Sequence, residues 1–169
     1  MSPFAAVLVS AALSTGGAAP AAADPAPPQS TVMTCGSNNP LPWAPAFTWT
    51  IGAGSGASRP DGASTLQPSI LLRGGNELPA PPPGLIPAFG INWYGTRVVV
   101  DWHNQTTGAS GTSVSDTEFL QQKPGIPINR TLTGVGTVSF TVKVDTGMGW
   151  WFINSQTAVC RGTISVLPV

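Results

Sequence analysis

The sequence predicts an all-β fold: an antiparallel β-sandwich of immunoglobulin-like architecture with strand order open, or alternatively a small β-barrel. Two observations carry this expectation. Glycine (20) and proline (18) are abundant among the 169 residues, and both favour turns and interrupt helices. Short segments also alternate apolar and polar residues, the period of a half-buried strand, and turn signals separate them. No stretch shows a helical period. About seven such strands is the pattern of a sandwich or a barrel.

The elements follow in order. A strand is expected at Thr31–Cys35, then a proline-rich turn, NNPLPWAP (38–45). Phe47–Ile51 alternates cleanly. GAGSGASRPDGAS (52–64) reads as a loop because it stacks Gly, Ser, Asp and Pro. Ser69–Leu72 is a short strand candidate. The segment 74–90 holds five prolines, which forbid a central strand or a helix interior and suggest extended polyproline II character. In Thr96–Asn104 the residues Val98, Val100 and Trp102 share one face, and Arg97, Asp101 and His103 the other. Residues 105–108 turn into a strand at Ala109–Ser115. Thr137–Asp145 is the clearest strand, with Val138, Phe140, Val142 and Val144 inward and Ser139, Thr141 and Lys143 outward. TGMG (146–149) turns into Trp150–Asn154, and Thr157–Arg161 and Thr163–Leu167 complete the set.

Residues 1–23 read as a signal peptide. An apolar run from Phe4 to Leu13 gives way to Ala21-Ala22-Ala23 ahead of Asp24, and signal peptidase requires small side chains before its cut. No Lys or Arg precedes the run, so either the free amino terminus supplies the positive charge or the start lies upstream of Met1. The run is about half the length of a membrane span. The mature chain is therefore expected to have no transmembrane segment and to be secreted or associated with the cell envelope. Residues 24–31 form a flexible Pro/Ala-rich lead, and 32–169 a single domain. The leader ending in AAADP, the low charge and one wide cysteine pair resemble small exported proteins of mycobacteria and related actinobacteria. That resemblance implies location and a β-sandwich; it carries over no functional residues.

Export changes how the two cysteines are read. In an oxidising space Cys35 and Cys160 form most simply a disulfide. The alternatives are two free thiols or half of a metal site, for which His103 is the one nitrogen ligand and CxxC spacing is absent. Charged residues are 8% of the chain and the formal net charge is zero, so no basic field attracts nucleic acid. Asn104-Gln105-Thr106 and Asn129-Arg130-Thr131 match the acceptor pattern for N-glycosylation, a chance match in a bacterial chain.

Catalysis is not expected. Asp101 and His103 share a strand face and could form half of a triad, but no GxSxG elbow accompanies them. Asp116 and Glu118 could supply paired carboxylates for glycoside hydrolysis, in a neighbourhood that reads as a solvated strand end. These two pairs define the alternative reading, a secreted hydrolase. No Asp-x-Asp-x-Asp-Gly loop appears, so neither metal nor cofactor is expected.

Tryptophan is the distinctive residue. Alternation sends Trp49 and Trp102 to the core. Trp150 and Trp151 are consecutive, as are Trp93 and Tyr94, so one of each pair must leave the core face. Trp43 sits in a proline turn. Trp43, Trp93, Tyr94, Trp150 and Trp151 are thus candidate binding residues. Exposed rings beside Asn, Gln or Asp stack on sugars, as in a carbohydrate-binding module, or anchor a protein partner. The expected function is an exported, non-catalytic envelope or extracellular binding protein whose partner is an envelope protein or a glycan.

Overall fold

The computed structural model describes residues 25–77, 94–115, 119–121, 124–127, 129–149 and 151–169. The strands are β1 (Ser30–Ser37), β2 (Phe47–Ser58), β3 (Gln67–Asn76), β4 (Tyr94–Asn104), β5 (Ser110–Val114), β6 (Phe119–Gln121), β7 (Arg130–Leu132), β8 (Gly136–Met148) and β9 (Ile153–Val166). One sheet has the order β1-β2-β3-β7; the other has β5-β4-β8-β9, with β6 pairing β4. All pairings are antiparallel. The sheets pack face to face without closing into a barrel, so the sandwich is the architecture. Among the described residues there is no helix, and hence none long and apolar enough to cross a membrane.

Alternation explains the packing. On β2 the side chains of Phe47, Trp49, Ile51 and Ala53 are buried, and they face Val98 and Val100 of β4 and Val138, Phe140, Val142 and Val144 of β8. Each large apolar side chain so buried stabilises by about 1.5–3 kcal/mol. Trp102 packs against this core from its edge.

Cys35 of β1 and Cys160 of β9 are disulfide-bonded, with Cα atoms 5.5 Å apart. The bond ties an edge strand of one sheet to an edge strand of the other. Immunoglobulin domains instead bridge inner strands, so the likeness to them stops at the architecture. Further along β9, the Ser165 amide donates to Pro28 O (2.9 Å), and the Ser55 amide donates to Gln29 O (2.8 Å), which binds the residues before β1 to both sheets. At the same end of the second sheet Asn104 is fully buried. Its Nδ2 donates to Thr133 O and Val135 O, and its Oδ1 accepts from the Thr106 and Thr107 amides. Asn129 is buried as well. Both acceptor-pattern asparagines are structural parts of the fold.

Four expectations change: Thr146, Gly147 and Met148, expected in a turn, complete β8. Residues 52–58 continue β2 instead of forming a loop, and β9 is one strand through Gly162 instead of two. Trp151 and Phe152 belong to the β8–β9 turn, where a strand was expected. The proline-rich stretch 78–93 lies outside the described residues.

Candidate functional site

β1 ends, β2 starts, β4 starts, β8 ends and β9 starts at the same end of the sandwich. The 38–46 connection there is organised by one residue. Asn39 is buried; its Nδ2 donates to Pro45 O (3.0 Å), and its Oδ1 accepts from the Leu41 amide (2.9 Å) and from Tyr94 Oη (3.2 Å). The Ala44 amide closes a turn onto Leu41 O (3.0 Å). Leu41 tucks into the core, while Trp43, two residues on, is 82% exposed. Prolines at 40, 42 and 45 stiffen the loop by fixing φ.

The β8–β9 turn presents a second indole. A register shift lies between Thr146 and Met148. Gly149, Phe152 and Asn154 have φ of 61°, 47° and 51°. Asparagine tolerates this left-handed region, whereas a bulky aromatic residue there costs about 1–2 kcal/mol. Glycines on the sheet permit the fold-back. A Cβ on Gly147 would stand 2.6 Å from the Phe152 carbonyl carbon, and one on Gly95 would stand 3.0 Å from the Phe152 ring. Phe152 thus lies against bare backbone, and Trp151 beside it is 82% exposed.

The two segments meet. Asn154 Nδ2 donates to Pro40 O at 2.6 Å. Between them runs a cleft of about 430 Å³, walled by the amides of Asn38, Asn39, Asn154 and Gln156 and by Pro42, Ala44 and Ala46. None of these side chains is ionisable. Gln156 Nε2 is spent on Asn154 O and Oδ1 (3.2 and 3.3 Å), which leaves its Oε1 open. Asn38 is exposed, and its side chain makes no hydrogen bond among the described residues.

The predicted binding residues therefore divide. Trp43 and Trp151 are displayed at this end. Tyr94 is corrected: it is 5% exposed, its ring meets Phe47 edge-on at 5.2 Å, and its hydroxyl braces Asn39. It supports the Trp43 loop from the core and offers no face to a ligand. Trp93 and Trp150 lie outside the described residues. The amides of the cleft were missed. The Asn-Pro step at 39–40 is a turn signal, but nothing local links residues 38–39 to 154–156.

The hydrolase candidates divide too. Asp116 and Glu118 lie outside the described residues. Asp101 and His103 line a shallow depression of about 550 Å³ on the outer face of the β4–β8–β9 sheet, with Arg161 on its wall. The Asp101 carboxylate is bound by Lys143 Nζ (2.7 Å) and accepts from Thr112 Oγ1 (2.7 Å). These partners hold its carboxyl below the ordinary aspartate range. His103 Nδ1 pairs with Ser110 Oγ at 2.8 Å. Thr112 and Ser110 are the direct cross-strand partners of Asp101 and His103, Lys143 reaches Asp101 diagonally from opposite Val99, and the imidazole is not oriented by the carboxylate. A third concavity, at the end where β2 and β7 meet, holds Asp61 and Arg130 in an ion pair at 2.6 Å. Among the described residues no three of His, Cys, Asp and Glu cluster as metal ligands.

Fold and site together define a disulfide-bridged β-sandwich with an aromatic, amide-lined end. No protein-family model, curated protein or solved structure matches the chain. Its function must be argued from this geometry.

Proposed function

We propose that the chain is an exported, non-catalytic binding protein of the cell envelope or extracellular space, and that the end bearing Trp43 and Trp151 is its binding surface. One observation carries the reading. Two indoles are held in water on segments fixed by the buried Asn39, by Asn154 and by the strained Phe152 turn. A chain that needed tryptophan only for packing would bury it, as this one buries Trp49. A backbone fixed before binding leaves less to be ordered on contact, and tryptophan is among the side chains that anchor interfaces best. The disulfide supports export, because such bonds persist in oxidising compartments.

The test is retention on an isolated cell-envelope fraction. The purified chain should bind saturably, and Trp43→Ala with Trp151→Ala should weaken binding about tenfold or more at unchanged circular dichroism. Equal retention of both forms would refute the assignment.

A hydrolase reading has one observation in its favour, the depression shared by Asp101 and His103. It predicts turnover of an ester or glycoside that His103→Ala abolishes. Against it, Asp101 is engaged by Lys143 and Thr112, and His103 stands on an open sheet face, exposed to water.

A further inference from the structure

Resting on the binding reading above, we infer that the amide-lined cleft at the tryptophan end takes a neutral saccharide chain. The lining decides the class. A charged ligand would gain no ion pair from the walls, since the cleft presents amides and small apolar groups alone. Hydroxyl groups suit it. The Asn38 amide both donates and accepts, and Gln156 Oε1 accepts, so the wall offers the two complementary functions that each sugar hydroxyl needs.

Apolar surface for a sugar ring is displayed at the same end of the sandwich. Trp43 stands between Pro42 and Ala44, which themselves line the cleft, and Trp151 lies three residues before Asn154. Both indoles are 82% exposed, and neither is in ring contact with another described aromatic residue, since the described ring pairs join Phe47 to Trp49 and to Tyr94. Their faces are open to the C–H surface of a pyranose. The volume, about 430 Å³, falls within the range of roughly 300–1,000 Å³ usual for small-ligand sites.

The walls are tied together. Asn39 fixes the Trp43 loop, and the Asn154–Pro40 bond joins the two sides, so little order remains to be imposed when a ligand enters.

The experiment is isothermal titration of the purified chain with cellohexaose, α-1,6-mannohexaose and an arabinan hexamer, with oligogalacturonate as the charged control. At least one neutral hexamer should bind saturably, and added salt should leave its affinity unchanged. Trp43→Ala and Trp151→Ala should each weaken it on the order of tenfold. Asn38→Ala with Gln156→Ala should weaken it several-fold. Trp43, Trp151 and Asn38 are exposed and Gln156 is half-buried, and near-ultraviolet circular dichroism checks that each variant folds.

Binding of oligogalacturonate in preference to the neutral chains would overturn the inference, as would neutral binding that ignores these substitutions. If no saccharide binds while envelope retention still depends on Trp43 and Trp151, the ligand class is wrong and the binding end stands. If retention is lost from the account too, both fall.

Discussion

The side-chain amide of Asn154, at the start of β9, donates to the backbone carbonyl of Pro40 over 2.6 Å. This single bond joins the two segments that carry Trp43 and Trp151. Asn154 does so from a left-handed backbone, φ 51°. Alanine there would lose the hydrogen bond and occupy a conformation it resists; glycine would lose the bond alone. Asn154→Ala should therefore destabilise by about 1–3 kcal/mol, and Asn154→Gly by less. Urea denaturation of both variants checks the order; equal losses would mean that the backbone conformation contributes nothing.

The Phe152 fold-back depends on bare backbone at Gly147. A Cβ there would meet the Phe152 backbone, 2.6 Å from its carbonyl carbon. Backbone cannot rotate aside as a side chain can, so Gly147→Ala should cost about 1–3 kcal/mol and should displace Trp151. Thermal unfolding reads the first effect. The Trp151 indole N–H resonance reads the second, and an unmoved signal would count against this origin of its display.

The Cys35–Cys160 bond closes a loop of sequence separation 125 between the two sheets. On the chain-entropy account, removing it through Cys35→Ala with Cys160→Ala should lower stability by about 4–5 kcal/mol. Chemical denaturation of the wild type and the double variant measures this. A change of less than about 1 kcal/mol would show that the sheets hold together without the bridge.

Lys143 and Thr112 stabilise the ionised form of Asp101 and so lower its pKa. The associated stabilisation is present above the ordinary aspartate value, near 4, and is lost as pH falls through the lowered one. Lys143→Met should move the Asp101 carboxyl midpoint upward, toward the ordinary value, in a carbon-detected NMR titration. An unchanged midpoint would remove Lys143 as the main cause.

Much of the fold is legible in the sequence because β8 alternates strictly from Val138 to Asp145 and burial follows that alternation, as it does more loosely on β4. The extension of β2 through residues 52–58 is not legible, for a physical reason. Its outward glycines are covered by neighbours on β3: a Cβ on Gly56 would stand 2.7 Å from Leu71 Cγ, and one on Gly52 would stand 3.4 Å from Arg73 Cγ. Composition reads those glycines as loop, since the cross-strand cover cannot be seen in a local window. Gly162 has a similar origin. It faces the core, where the Phe140 ring and the Met33 sulfur fill the space a Cβ would take. Tyr94 and Trp93 could not be ranked by alternation alone until register set Tyr94 opposite Met148. The tryptophans of the site were visible as composition. Its amides, from residues 38–39 and 154–156, meet only through the fold.

The central claim is that the Trp43/Trp151 end is the working surface. Its most direct measurement is a two-dimensional NMR spectrum of the backbone amide, indole N–H and side-chain amide groups, recorded as solubilised cell-envelope material is added. The account predicts that the signals of Trp43, Trp151, Asn38 and Gln156 shift or broaden while those of Trp49 and Trp102 stay in place. Shifts confined to His103, Ser110 and Arg161 would contradict it and would move the function to the opposite, outer-sheet depression.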